Sequence, residues 1–183
     1  MSVLVTTLVV VLLALWALAA YNRLVRLQNQ VRNAWSQIGG QLKRRHDLIP
    51  ALLETVSGAL SFEKETLEGV VAARQRAVAA KGPVDAAGKE QALSDSLVRL
   101  IAVVEGYPQL TTDEHVRELQ AQLGGIEGDI ASARKAYNAT AKAYNTALHV
   151  VPNNIVASLG SFPKAELFQA SDGERAVPRA TLG

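Results

Sequence analysis

The side chains that could do chemistry in this sequence do not form a catalytic pattern. The chain has three histidines and no cysteine, and His46, His115 and His149 lie outside any metal-ligand spacing with Asp or Glu. No Gly-rich phosphate loop follows a strand pattern, and no Ser or Thr stands beside a base in a known nucleophile motif. The sequence therefore predicts no catalytic residue, metal, cofactor or small-molecule substrate, and an enzyme is the least favoured class.

Arg44, Arg45 and Asp47 form a short charged run that is a candidate interaction site. They could make a local ion network or bind an acidic partner, although exposed helix charges usually form a solvated face and contribute roughly 0 to 1 kcal/mol per pair. Arg45 differs because it falls on an apolar stripe. It must therefore extend to solvent, pair with a carboxylate of a neighbouring helix, or mark a place where the stripe opens.

The aromatic and amide side chains form a second group of candidates. Trp35 lies on the same stripe and is predicted to fill the core of a helical bundle, with partner binding as the alternative. Tyr137-Asn138 and Tyr144-Asn145 recur one heptad apart, so the tyrosines share a helix face. An Asn beside a helix seam can fix register or oligomeric state through hydrogen bonds, and we favour this structural role over a ligand-binding aromatic face.

The first group of candidates lies on a long predicted helix. Apolar residues recur every three or four positions, a spacing typical of coiled coils. The stripe consists of Leu24, Gln28, Val31, Trp35, Ile38, Leu42, Arg45, Ile49, Leu52 and Val56, and it continues less regularly through Leu60, Leu67, Val70, Val71 and Val78. This predicts a helix over about residues 23–80 that Gly82-Pro83 ends, with a kink near Pro50.

Further helices are predicted over residues 87–106 and 112–151, and a short one over 153–159. The third long helix should begin with a Thr N-cap and Glu114 as the partner of a capping box, and Asn153 could cap the short helix. Phe162 and Phe168 could then dock on the bundle. Because each long helix has one stripe to bury, the pattern predicts an all-α fold, in which an N-terminal transmembrane helix continues into an elongated antiparallel bundle of long, coiled-coil-like helices.

Residues 2–22 contain no charged side chain, and 17 of these 21 are apolar or aromatic. A helix needs roughly 20 such residues to cross a hydrocarbon core of about 30 Å. Ala17-Leu18-Ala19 has the form of a signal-peptide cleavage site, so a cleaved signal peptide is the alternative. The missing basic n-region and the length of the apolar run favour a retained anchor.

The charge distribution predicts the orientation of this anchor. Six Lys or Arg follow the span before the first carboxylate, and beyond them 13 basic residues face 17 acidic ones. This bias predicts an N-terminus outside and a cytoplasmic bundle, with Tyr21, Arg23 and Arg26 flanking the membrane. Dispersed basic residues in the distal domain argue against binding of nucleic acid.

Several motifs between residues 21 and 168 resemble the LemA family. The most specific ones are Tyr21-Asn22-Arg23-Leu24-Val25, Ala34-Trp35-Ser36-Gln37-Ile38 and Gln41-Leu42-Lys43-Arg44-Arg45-His46-Asp47-Leu48-Ile49-Pro50. Others are Glu105-Gly106-Tyr107-Pro108, Ala133-Arg134-Lys135-Ala136-Tyr137-Asn138 and Ala143-Tyr144-Asn145. Gly39-Gly40 and Ala51 depart from the expected pattern.

The resemblance implies a single-pass protein of the bacterial cytoplasmic membrane with a cytoplasmic helical bundle and no established enzymatic activity. Some members of the family are associated with bacterial membrane organelles or occur beside membrane proteases. The predicted organisation is an anchor at 1–22, a bundle at 23–168 and a disordered tail at 169–183. The leading functional hypothesis is a scaffold or adaptor that contacts the lipid bilayer and forms a homo-oligomer or docks a membrane-protein partner. The alternatives are a membrane-shaping oligomer and a regulator of an adjacent membrane protease.

Overall fold

The computed structural model describes residues 1–60 and 63–168 of the 183-residue chain. The described residues form six helices and no strand, which confirms the all-α prediction. The helices are α1 (Ser2–Ser57), α2 (Lys64–Val78), α3 (Gly82–Glu105), α4 (Pro108–Thr111), α5 (Glu114–His149) and α6 (Asn153–Leu159). The predicted tail at 169–183 lies outside the described residues.

Helix α1 continues through Gly39, Gly40 and Pro50 without a break. Both glycines are exposed, and neither supports a neighbouring side chain by a close approach. Pro50 has no backbone N–H, so the carbonyl of His46 one turn earlier loses its usual helix donor. Arg74 of α2 replaces that donor, because its Nε lies 2.7 Å from the His46 carbonyl oxygen.

The prediction of a single helix over residues 23–80 is wrong, since α1 ends at Ser57 and α2 is a separate helix. Gly58 favours a turn after Ser57 because glycine is a poor helix former, and Leu60 is fully buried beside the helix end. Two separate helices can each turn their own face inward. The expected stripe positions Val71 and Val78 are accordingly exposed on α2, where Val70, Ala73 and Ala77 are buried instead.

Helix α3 begins at Gly82, five residues before the predicted start. Gly82 has a φ of 76°, a left-handed conformation that glycine adopts without strain, and Pro83 fits the first turn, where a missing N–H is tolerated. The backbone N–H of Lys81 donates to Asp85 Oδ2 at 2.8 Å. Gly82-Pro83 therefore begins α3 rather than ending the preceding helix, because α2 has already ended at Val78.

The ends of α5 and α6 also differ from the prediction. The capping side chain of α5 is Asp113 rather than a threonine, because its Oδ1 accepts from the backbone N–H of Val116 at 3.0 Å. Helix α5 ends at His149, so Val151 is outside it and exposed. Asn153 makes no capping bond, because it is buried in the first turn of α6. The short helix α4 was not predicted.

The fold divides into two compact units that both α1 and α5 enter. The first unit contains Met1–Ser36 and Lys135–Leu167, and the second contains Gln37–Arg134 and, of the described residues, Phe168. In the second unit α1, α2, α3 and α5 enclose a core that includes Ile49, Leu52, Val70, Leu93, Leu100, Val116 and Leu123. In the first unit Leu24, Val31, Tyr137, Ala141 and Tyr144 are buried.

The predicted apolar stripe of α1 is confirmed at most positions. Leu24, Val31, Ile38, Leu42, Arg45, Ile49, Leu52 and Val56 are all buried, whereas Gln28 and Trp35 are half-buried. The N-terminal part of α1 behaves differently. Apolar side chains from Val3 to Leu18 are largely exposed, and α1 is the one described helix long and apolar enough to cross a membrane.

Candidate functional site

Arg45 is the centre of a buried polar cluster in the second unit. Its guanidinium forms ion pairs with Glu90 of α3 and with Glu127 of α5, and Nη1 donates to Ser94 Oγ at 2.8 Å. Only 1% of the Arg45 side chain and 6% of the Glu90 side chain are exposed. Of the three arrangements that the sequence allowed for Arg45, the structure shows pairing with carboxylates of neighbouring helices.

Two residues extend this cluster to α2. His46 Nε2 lies 3.0 Å from Glu90 Oε1, an ion-pair distance without the alignment of a hydrogen bond. Arg74 donates to the backbone of the same histidine, as described above. The Arg45 cluster, defined as Arg45, His46, Arg74, Glu90, Ser94 and Glu127, thus joins four helices.

The cluster satisfies its own charges rather than presenting them to a ligand. The Arg45 guanidinium is paired with both carboxylates, and buried charges are tolerated when they are paired in this way; its Nε is buried without a hydrogen-bond partner. Among the described residues no group of His, Cys, Asp or Glu could hold a metal ion. The arrangement fixes the alignment of four helices.

Arg44 and Asp47 lie on the exposed side of α1 and do not join this cluster. Arg44 Nη1 lies 3.9 Å from Asp129 Oδ2 on α5. Asp47 Oδ2 accepts a hydrogen bond from Lys43 Nζ at 2.5 Å, and this bond lowers the pKa of the Asp47 carboxyl below its usual value. Both side chains line an open groove of about 480 Å³ together with Leu48 and Ile126.

In the first unit Tyr137, Tyr144 and Asn145 of α5 bind the main chain of residues 163–166. Tyr144 Oη donates to the carbonyl oxygen of Pro163 at 2.9 Å, and Tyr137 Oη donates to that of Glu166 at 2.6 Å. Between them Asn145 binds Ala165 twice, with Nδ2 donating to the carbonyl at 2.8 Å and Oδ1 accepting from the backbone N–H at 2.9 Å. We call these four hydrogen bonds the C-terminal clamp.

The clamp phenols are protonated donors over the physiological pH range. Burial raises the pKa of Tyr137 and that of Tyr144 above the ordinary value. A phenol in the unfolded chain ionises near pH 10. Their contribution to stability is therefore complete below that pH and is lost as the pH rises further, because the unfolded chain then binds fewer protons than the folded one.

Trp35 and Asn138 lie beside the clamp. The Trp35 ring is tilted against the Tyr137 ring, with 5.6 Å between centroids. Trp35 is half-buried rather than enclosed, so the prediction of a core position is only partly met. Asn138 is also half-buried.

Near the span, Tyr21 contacts Phe162 edge to face at 5.5 Å between ring centroids. Arg23 and Arg26 are exposed two and five residues further along α1. In the second unit Phe168 is buried, with the guanidinium carbon of Arg134 4.7 Å from its ring centroid. The predicted docking of both phenylalanines is thus observed.

Sequence reasoning missed the partners of Arg45 and the role of Arg74. One signal was available, since Glu90 occupies the same helical stripe as Ala86, Leu93 and Leu97, all of which are buried. An acid on one apolar stripe and a base on another indicate a buried pair. Arg74 gave no such signal, because its partner is the backbone carbonyl of His46. That carbonyl lacks its usual helix donor because residue 50 is a proline.

Replacing Asn145 with alanine is expected to lower the free energy of unfolding by about 1 to 3 kcal/mol, because two backbone groups of Ala165 lose their partner. Trypsin should then cleave faster after Lys164, which lies in the clamped segment. The control is Asn154→Ala at an exposed position of α6, which should change neither measurement. Unchanged cleavage in Asn145→Ala would show that the clamp does not hold the segment.

Replacing Arg74 with alanine should cost about 1 to 3 kcal/mol, because the His46 carbonyl becomes a buried acceptor without a donor. Adding Pro50→Ala should restore much of the loss, since alanine supplies the N–H that proline lacks. Arg76→Ala on the exposed face of α2 is the control. Denaturant unfolding measures the stability of the parent, Arg74→Ala, Arg74→Ala with Pro50→Ala, and Arg76→Ala. A double variant as unstable as Arg74→Ala would contradict this explanation.

Comparisons with known proteins agree with the motifs and the fold. A family model described as the LemA family matches residues 34–181. "Protein LemA" of Metamycoplasma hominis is 27% identical over 158 residues, which are 84% of this chain and 71% of that protein.

Two further relatives match over a shorter region. "Magnetosome protein MamQ 2" of Paramagnetospirillum magneticum is 35% identical over 82 residues, or 45% of this chain and 30% of that protein. "Magnetosome protein MamQ" of Magnetospirillum gryphiswaldense is 32% identical over 81 residues, or 44% and 30%. These matches thus span less than a third of either magnetosome protein. Since the family model covers most of the chain, and the described helices carry its motifs, this protein belongs to the LemA family.

Proposed function

We propose that this protein is a non-enzymatic, membrane-anchored scaffold or adaptor whose helical bundle self-associates or docks a membrane-protein partner. The observation that carries the proposal is α1 itself. Helix α1 is uninterrupted. At its start the apolar side chains are not covered by the rest of the described chain, and further along its apolar stripe is buried in the bundle. A membrane anchor and a bundle element are therefore the same helix, with no flexible linker between them.

The chemistry of the second unit supports binding rather than catalysis. The charges inside it pair across α1, α3 and α5, and Arg74 of α2 adds a hydrogen bond to the main chain of α1. Other charged side chains lie exposed on the surface of this unit. The groove lined by Arg44, Asp47 and Asp129 places positive and negative charges around the apolar side chains of Leu48 and Ile126. Such a mixed surface suits a protein partner, because interfaces combine an apolar centre with a polar rim.

A membrane-shaping or organelle-associated oligomer is the second candidate. The local similarity to the magnetosome proteins MamQ favours it, although that similarity covers 45% of this chain. The membrane-shaping protein and a self-associating scaffold both form a homo-oligomer in the membrane. An adaptor instead forms a stoichiometric complex with a different membrane protein.

Purification in a mild detergent followed by native mass measurement tests the proposal. A homo-oligomer, or a stoichiometric complex with another membrane protein, supports it, whereas a lone monomer contradicts it. Charge reversal in the groove by Arg44→Glu should weaken the complex. Arg76→Glu on α2 is the matched control, and an equal effect of both changes would exclude the groove as the docking surface.

The proposed orientation places the N-terminus outside and the bundle in the cytoplasm. It is supported by the six Lys or Arg that follow the span before any carboxylate, because short basic flanks remain on the cytoplasmic side. When fused after Gly183, a reporter enzyme that works only in the cytoplasm is expected to be active. Activity of a reporter that works only outside the cytoplasmic membrane would reverse the orientation.

A further inference from the structure

The segment around α6 carries an apolar face that no described part of the chain covers. Residues 150–163 contain no Asp, Glu, Lys, Arg or His. Val151, Ile155 and Leu159 recur every four positions and are 73%, 55% and 83% exposed, respectively. Ile155 and Leu159 share one face of α6, and Val151 precedes this helix, while the neighbouring Val156 is buried.

This face is continuous with the surface of the membrane span. An open groove, nearly all of it apolar, is lined on one side by Ala14, Ala17 and Leu18 of α1 and on the other by Val156 and Leu159 of α6. The ring contact between Tyr21 and Phe162 lies at the same end of the span. Helix α6 therefore packs beside the last turns of the apolar part of α1, within one compact unit.

The depth of α6 follows from the length of the span. At 1.5 Å per residue, about 20 residues from Ser2 onward cross a hydrocarbon core of about 30 Å. The residues from Ala14 to Leu18 then lie within that core, close to its second boundary. A helix packed against them must lie at the same boundary.

We propose that α6 and the preceding Val150 and Val151 form a second membrane-contacting element, with the apolar face in the acyl-chain region just below the lipid headgroups. A helix with an apolar face on one side and polar groups on the other can lie in the plane of this interface. The proposal rests on the membrane anchor of α1 and does not require the scaffold role.

The charges around the segment fit this position. Lys164 borders it and is exposed, as are Arg23 and Arg26 on α1. Cations at this level are attracted by anionic headgroups, while the uncharged stretch between His149 and Lys164 contacts the acyl chains. The occupant of the apolar groove is accordingly lipid.

The absence of cysteine from the sequence makes a direct test possible. The full-length chain with Ile155→Cys or Leu159→Cys is labelled with an environment-sensitive fluorophore and reconstituted into phosphatidylcholine and phosphatidylglycerol vesicles. We expect emission shifted to shorter wavelength, strong quenching by a lipid whose nitroxide lies near the top of the acyl chain, and little quenching by aqueous iodide. Circular dichroism checks that each variant keeps the helical fold.

Two control positions make the outcome specific. Leu12→Cys, in the middle of the span, must be quenched by a lipid whose nitroxide lies near the end of the acyl chain, and if it is not, the anchor has failed rather than the placement of α6. Val98→Cys is an exposed apolar position on α3 and should be quenched by iodide alone. Labels at 155 and 159 that behave like the one at 98 would overturn the proposal. Labels shielded from both quenchers would overturn it as well, because protein rather than lipid would cover the face.

Discussion

Arg45→Ala is expected to lower the free energy of unfolding by about 3 to 5 kcal/mol, the cost of leaving a buried carboxylate without its partner. Glu90 provides that carboxylate, since its side chain is only 6% exposed. Glu127 contributes less to the loss because 42% of its side chain is exposed and water can replace the guanidinium. Chemical denaturation of the detergent-solubilised chain, followed by circular dichroism, measures the change.

Two further variants separate the pairing of Arg45 from its bulk. Arg44→Ala on the exposed side of the same helix should change stability by roughly 0 to 1 kcal/mol, as expected for a surface pair. Joint replacement of the pair by Arg45→Met and Glu90→Leu should recover most of the stability, because apolar residues of similar volume can replace a buried ion pair. A double variant as unstable as Arg45→Ala would show that the charges themselves are needed.

Leu12→Arg is expected to disfavour membrane insertion of α1 by about 3 kcal/mol, the difference between Leu and Arg at the centre of a spanning helix. This corresponds to a loss of about a hundredfold in the equilibrium for insertion. The reason lies in the exposure of this segment. Leu12 is 57% exposed, as are its neighbours to a similar extent, so no described residue covers this apolar surface, and the proposed anchor places it in lipid.

Alkaline extraction of membranes, followed by mass measurement of the chain, tests this prediction. Leu12→Ile should remain in the membrane fraction, and Val98→Arg on α3 should behave like the parent because it introduces the same charge outside the span. Equal retention of Leu12→Arg and the parent would contradict the anchor. A parent chain found to begin after Ala19 would instead identify the segment as a cleaved signal peptide.

The apolar stripe of α1 could be predicted from the sequence because helix burial is a local, periodic property. Leu24, Ile38, Ile49 and Leu52 are almost completely buried at their predicted positions. The end of α1 at Ser57 could not be predicted in the same way. A stripe can continue in a second helix that turns its own face inward, and the sequence pattern does not distinguish a long helix from two shorter ones.

The polar contacts were predictable only as far as their partners also lay on stripes. The position of Arg45 on the stripe allowed a pair with a carboxylate of another helix as one of three arrangements, and Glu90 and Glu127 form such pairs. The bonds of Tyr137, Tyr144 and Asn145 could not be foreseen, because their partners are main-chain groups of a segment that has no periodic pattern of its own. The repeated Tyr-Asn spacing indicated a structural role but not what it would hold.

The C-terminal clamp has a consequence for how this chain tolerates substitution. All four of its hydrogen bonds reach main-chain atoms of residues 163–166. Every residue type has a main-chain carbonyl, and every type except proline has a main-chain N–H. The identity of the held residues is therefore largely free, whereas the three side chains that hold them are not. A library randomised at 164–166 should retain many folded members, and one randomised at 137, 144 and 145 few.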